Sequence, residues 1–195
     1  MVTNCTVTMA SEPGEITQLL TRIQNGDRVA ETRLFELLYS DLRRMAKSQL
    51  RSERSDHTLQ PTALVHEVYV KVFGDTPPPA YSRSHFMALA ARVMRQYLVD
   101  HARARKTRKR GGEKTRVEFD EAWIYDDRRS DEFLAVHDAL ERLRRWAPRQ
   151  SHIVEMRFFG GLSEDEIAEH LQVSSRTVKR DWAMARAWLH AELSE

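Results

Sequence analysis

Residues 161–189 read GLSEDEIAEHLQVSSRTVKRDWAMARAWL, and this stretch decides how the chain folds and what it touches. Ser163 stands three residues before Glu166, the capping-box spacing that starts a helix by satisfying its free amides. Ile167, Ala168 and Leu171 follow at helical spacing, so one face is apolar and the acidic face is wet. Val173 breaks that phase and plugs a corner, and Ser174 is placed to cap a second helix. Val178, Trp182, Ala185 and Leu189 continue as one buried stripe, with Arg176, Lys179 and Arg180 turned away from it. Two short helices, a tight turn and a basic outer face predict a helix-turn-helix whose second helix enters the major groove. The competing reading is an ordinary helical hairpin with a solvated Arg/Lys face.

The rest of the chain sets the frame. Its 195 residues allow one or two small domains rather than a large enzyme core. Six prolines, seven glycines and long Ala/Leu/Arg/Glu stretches predict an all-α protein. Charged residues make up 31% and the mean hydropathy is −0.60, which predicts a soluble, folded chain. The net charge of +2 says little, but its distribution says more: from Arg95 to Arg116 the balance is 9 − 2 = +7, and from Val117 to Glu132 it is 2 − 7 = −5. The molecule is polarised. The single cysteine, Cys5, lies in a polar N-terminal stretch and cannot form an internal disulfide. No signal peptide is expected, no apolar run approaches the roughly 18 residues of a bilayer span, and a cytoplasmic location is expected.

Two helical domains follow from the periodicity. Residues 1–14 read as a tail. Ile16, Leu19, Leu20 and Ile23 make a short helix stopped by Asn25-Gly26-Asp27. A longer helix, from Arg28 to Leu50, carries Ala30, Leu34, Leu37, Leu38, Leu42 and Met45. Pro61 suits the first turn of a third helix, with Leu64, Val65, Val68, Val72 and Phe73 as its apolar face. Pro77-Pro78-Pro79 makes residues 74–84 a loop. A fourth helix runs from Ser84 into the basic block, with Phe86, Leu89, Ala90, Val93, Tyr97 and Leu98 facing in, and Gly111-Gly112 ends it. The domain expected over residues 15–108 is separated by a charged linker, 109–130, from a second over 131–195. There Phe133, Val136, Leu140 and Leu143 share one helix that Pro148 ends, and Ile153, Val154, Met156 and Phe158 share the next, ended by Gly160-Gly161.

These segments resemble the extracytoplasmic-function, or group four, sigma factors of bacterial RNA polymerase. The C-terminal matches are Ile153-Val154-Glu155-Met156-Arg157-Phe158-Phe159-Gly160-Gly161-Leu162-Ser163, Glu166-Ile167-Ala168, Thr177-Val178-Lys179-Arg180 and Ala185-Arg186, which look like sigma region four. Leu64-Val65-His66-Glu67-Val68-Tyr69-Val70-Lys71 looks like the region-two helix that docks on polymerase, and Phe86 through Asp100-His101-Ala102-Arg103 like the helix that meets the −10 element. The resemblance covers roughly residues 15–192. It departs from the usual pattern at His66, Leu89, Gln96 and Gln172 and in the run Arg180-Asp181-Trp182, without disturbing the apolar phases.

The resemblance implies an alternative sigma factor, a subunit that performs no bond chemistry. It binds core polymerase, gives it promoter specificity and helps to open the duplex. Ser175, Arg176, Thr177, Lys179 and Arg180 would meet the −35 element; Arg and Lys suit phosphates and guanine edges, and the short hydroxyls sit at a helix N-terminus. Region two must hold an unpaired strand, which needs a positive track and a pocket for a base turned out of the stack. Tyr81, Ser84 and His85 lie where the family captures that base; Arg92, Arg95, Arg103, Arg105 and Lys106 supply the track, with Gln96 among them. Tyr81 either stacks on a base or closes its loop, and the basic run is otherwise a solvated face. Trp182 and Trp188 read as core rather than base-stacking residues. His66, Glu67 and Lys71 would face the β′ clamp helices, and region four the β flap; an anti-sigma factor is a further possible partner. No catalytic residues, cofactor or metal site are expected. His66-Glu67 begins a zinc-protease motif, but Val70 occupies the second ligand position. His57, His85, His101, His137, His152, His170 and His190 look scattered. The alternative is a free-standing helix-turn-helix regulator with an N-terminal helical dimerisation or sensing domain.

Overall fold

The computed structural model describes residues 13–50, 59–74, 82–108 and 130–194. Among them all regular structure is helical: α1 (Pro13–Gln24), α2 (Arg28–Gln49), α3 (Pro61–Val72), α4 (Arg83–Arg108), α5 (Ser130–Trp146), α6 (Pro148–Val154), a π-helical turn (Glu155–Phe159), α7 (Glu164–Leu171) and α8 (Ser175–Ser194). The expected all-α class is what the chain adopts. The expected tail overlaps α1, which starts at Pro13, and the charged linker expected over 109–130 lies, up to residue 129, outside the described residues.

Local chemistry sets most of the boundaries. Gly26 takes φ +85° at the turn after α1, and Asp27 caps α2 by accepting from the amides of Val29 and Ala30 at 3.0 and 3.1 Å. Pro61 opens α3 with its φ preset. Pro148 does the same for α6, so it starts a helix as well as following one. α2 buries Ala30, Leu34, Leu38, Leu42, Met45 and Ala46 as a single stripe, and α3 buries Leu64, Val65, Val68 and Val72.

The segment after α6 is not the plain helix its apolar spacing predicts. The Gly160 amide bonds the Glu155 carbonyl at 3.0 Å, a five-residue step that widens the last turn. A Cβ on Gly160 would lie 2.5 Å from the Met156 carbonyl oxygen and 2.9 Å from Leu162 Cδ1, so only glycine fits. Gly161 then turns at φ +62°, and Leu162 bonds back to the Met156 carbonyl at 3.1 Å. The wide turn buries Glu155, Met156 and Phe159 together.

α4 is the hub. It packs against α1, α2 and α3 on one side and against α5, the π turn and α7 on the other. The residues expected to face in divide accordingly: Phe86, Ala90 and Leu98 are buried, while Leu89, Val93 and Tyr97 are half-buried. Met87, Ala88, Ala91, Met94, Arg95, Val99 and Ala102 are buried as well, because a second layer of helices covers them. The N- and C-terminal helices therefore share one continuous core.

Candidate nucleic-acid interface

The helix-turn-helix forms from the residues that announced it. The Glu166 amide donates to Ser163 Oγ at 3.3 Å, and Ser163 N–H and Oγ both donate to Glu166 Oε2 at 2.9 Å. α7 ends on Gln172 in the left-handed region (φ 55°), and the Val173 amide reaches back to the Ala168 carbonyl at 3.0 Å. Ser174 Oγ accepts the Thr177 amide at 3.2 Å and starts α8. Val178, Trp182, Ala185 and Leu189 are buried, and Trp188 is half-buried against Trp146, as core residues should be.

The outer face of α8 presents Arg176, Lys179 and Arg180, all exposed. They are graded by what holds them. Lys179 Nζ lies 3.4 Å from Glu164 Oε2, whose other oxygen takes Arg157 at 2.6 Å. Those contacts, Arg157 first, hold the Glu164 carboxyl below its ordinary pKa. Arg157 also stacks over Trp182 at 4.7 Å from the ring centroid, tying the π turn to α8. Arg180 leans on Asp181 at 3.4 Å, and the buried Asp181 is bonded by Arg149 at 2.6 Å. Ser175 spends its hydroxyl proton on Asp165 at 2.6 Å, and Thr177 shares a hydroxyl contact with Ser174 at 2.9 Å. The two serine/threonine positions are thus engaged within the domain, and the three cations make the open surface.

On α4, Arg92, Gln96 and Arg103 lie along an exposed face, with Gln96 donating to Asp100 at 3.1 Å. Arg105 and Lys106 belong to the same helix, but their side chains are outside the described residues, as is Tyr81. Ser82 caps α4 by accepting the His85 amide at 3.2 Å and meets Ser84 Oγ at 3.0 Å. Ser84, expected beside a captured base, is buried.

Arg95 departs furthest from expectation. The sequence puts it in the phosphate track, yet it is 4% exposed and faces the C-terminal helices. Its guanidinium bonds Glu155 at 2.9 Å and Glu141 at 3.3 Å, contacts His137 Nδ1, and lies over the Phe159 ring at 5.8 Å. The physical reason is rotational: with about 3.6 residues per turn, Arg95 lies roughly 60° round the helix from Arg92 and roughly 100° from Gln96, on the side of α4 that α5 and the π turn cover. Burial and the Arg95 charge both push the His137 pKa down, so Nδ1 of the neutral ring accepts a hydrogen bond from the guanidinium.

A second tie lies at the N-terminus of α4. Arg83 bonds Asp41 at 2.6 Å and Glu166 Oε1 at 2.7 Å, linking α2, α4 and α7. Burial works against that charge, but the two carboxylates outweigh it and raise the arginine pKa. The Gln49 amide donates to the Phe159 carbonyl at 2.7 Å. A cleft of about 270 Å³ between Arg44, Arg83, Met87, Gly161 and Glu166 lies beside these ties. The histidines are less scattered than the sequence suggests: His85, His152 and His170 meet with ring centroids 5.2 and 5.7 Å apart. Among the described residues, no group of three His, Cys, Asp or Glu is arranged to hold a metal.

On α3, His66 and Lys71 are exposed and Glu67 is half-buried, 3.9 Å from Lys71. Beside them the sequence reading missed an aromatic surface. Tyr69 and Tyr39 are each more than a third exposed and pack edge-on to Phe35, at 5.0 and 5.9 Å, with Val70 half exposed. The available signal was Phe35 and Tyr39, four apart on α2 and off its buried stripe. No helix among the described residues is long and apolar enough to cross a membrane.

A family model described as ECF sigma factor matches residues 13–195. No curated protein matches the chain.

Proposed function

The chain belongs to the ECF sigma factor family, non-enzymatic factors that act in transcription initiation, and from that membership we propose that it is an alternative sigma subunit built for two promoter contacts. Residues 131–195 act as region four: α8 lies in the major groove at the −35 element, with Arg176, Lys179 and Arg180 on phosphates and base edges. Residues 15–108 act as region two. There α4 tracks the −10 strand with Arg92, Gln96, Arg103, Arg105 and Lys106, and the loop bearing Tyr81 leads to the pocket for the unstacked base. His66, Glu67 and Lys71 dock on the β′ clamp helices, with the Tyr39–Tyr69 surface alongside as the apolar part of that contact.

The observation that carries this reading is the capped helix-turn-helix presenting Arg176, Lys179 and Arg180 on one exposed face, within a chain matched from α1 onward. In vitro transcription with core polymerase across a genomic promoter library tests it. The expected result is specific initiation that depends on the added protein. Failure to bind core together with tight duplex binding by the protein alone would overturn the sigma reading in favour of a free-standing regulator.

A further inference from the structure

We propose that Asp181 is a positioning residue: held from behind by Arg149, it fixes Arg180 so that the outer edge of that guanidinium reads a guanine in the −35 element. The inference rests on the promoter-reading role proposed above and deepens it. Burial is the first observation. Asp181 stands on the reading helix, one residue from the exposed Arg180, yet it is 1% exposed. A carboxylate withdrawn from water needs partners, and here each oxygen has a different arginine. Oδ2 takes Arg149 Nε from α6 at 2.6 Å, and Oδ1 takes Arg180 Nε and Nη2, each at 3.4 Å. Successive side chains on a helix leave about 100° apart and do not face one another. Arg180 therefore reaches Asp181 only by folding its long stem back along α8, toward the side that α6 covers.

The second observation is which edge remains. A guanidinium is a planar fork of N–H donors. Arg180 gives its Nε–Nη2 side to Asp181, which leaves the Nη1–Nη2 end on a side chain that is 65% exposed. That end matches the O6 and N7 acceptors of guanine in a bidentate pair. The carboxylate decides between base and backbone. A phosphate asks for positive charge and no particular orientation, and an acid beside the cation works against it. A base edge asks for a fixed plane, and a fork held before DNA arrives loses less freedom on contact. Arg149 completes the device by holding the second oxygen, so Asp181 does not turn with Arg180. Lys179, tied to Glu164 of α7 at 3.4 Å, is a point charge with no fork to align. It suits a phosphate, and Arg180 a base.

The test uses the full-length protein with core polymerase, transcribing a promoter library randomised over the −35 element. The wild type should prefer guanine at one position there. Arg180→Gln removes the fork and should relax that preference about tenfold, beyond any even loss that the missing charge causes at every position. Asp181→Asn should relax the same position by about the same factor. Simple electrostatics gives the opposite result for this variant: tighter binding with the preference intact, because a negative charge beside DNA is gone. If the urea midpoint shows that Asp181→Asn is destabilised, Asp181→Asn/Arg149→Gln, which also removes the stranded cation, is the variant scored. A wild type without a guanine preference, or one that keeps it in Arg180→Gln, overturns the reading of Arg180. A preference that survives in the scored Asp181 variant, or a loss spread evenly over every position, overturns the positioning role. Failure of the sigma reading shows separately, as absence of core-dependent initiation by the wild type. The same library scored for duplex binding by the free protein then reads the Arg180 position.

Discussion

At the scale of single residues, backbone geometry makes two sharp demands. Gln172 holds φ 55° at the corner of the helix-turn-helix, a conformation that costs a side chain and that glycine adopts freely. Gln172→Gly should therefore stabilise the protein by about 0.5–1 kcal/mol, read as a higher urea midpoint with unchanged slope. Gly160 is the converse case. Its Cβ position is filled by the Met156 carbonyl, which is backbone and cannot yield cheaply. Gly160→Ala should cost about 1–3 kcal/mol in the same measurement, as overpacking does elsewhere, and should loosen the π turn. A neutral outcome would mean that the turn relaxes to an ordinary helix at no cost. The sequence marked both positions, since Gly160-Gly161 reads as a stop and Gln172 stands where glycine is usual. It did not mark the π turn, whose extra residue per turn leaves no periodic signature in so short a run.

At the scale of the element, the two proposed contacts, with DNA and with core polymerase, fall to α8 and α3. Arg176→Ala and Lys179→Ala should each weaken promoter-dependent transcription while leaving core binding intact, with losses of about 1–3 kcal/mol where a base edge is read. A residue that contacts only phosphate should instead lower the salt slope of promoter binding by about one. Equal loss of core affinity would remove α8 from DNA reading. Glu67→Ala should weaken holoenzyme assembly, measured by titration with core; an unchanged yield excludes that residue from the contact. The caps, the apolar phase and the exposed cations of α8 were legible because each depends on residues within a turn or two. The Tyr39–Tyr69 surface was not, since it joins two helices through Phe35.

For the whole molecule, folding holds His137, His152 and His170 in states that disfavour protonation. Burial lowers the pKa of each, with Arg95 adding to the effect on His137; Glu141 and Asp138 oppose it there, and Arg103 reinforces it. Around His152, Arg92, His85 and Arg144 also disfavour the charge while Glu155 favours it. His170, facing His152 and His85, is pushed down to about 4. A depressed pKa in the folded form means that the unfolded chain takes up protons first. The contribution of these histidines to stability is therefore fully present above the ordinary imidazole value of 6.5 and is lost as pH falls from there toward about 4. The urea midpoint should fall across that window, and His170→Gln should flatten the change. A midpoint constant from pH 7.5 to 5 would mean that the buried histidines do not govern stability.

The sequence by itself determined the all-α class, the starts of α2, α3 and α8, the capping box and the outward cations of the helix-turn-helix. These are set by hydrogen bonds and periodicities that span a few residues, and any environment that buries the apolar stripe produces them. The tertiary structure alone decided what the second face of α4 does. Arg95 reads as one more cation in a basic run, because +7 over that block carries no information about which side of a helix another helix will cover. Its burial depends on Glu141 and Glu155, 46 and 60 positions away, being brought to one point by the packing of α5 and the π turn. Long-range charge pairing of that kind has no period, so only the assembled fold shows that a residue the basic run assigns to DNA is held by the protein itself.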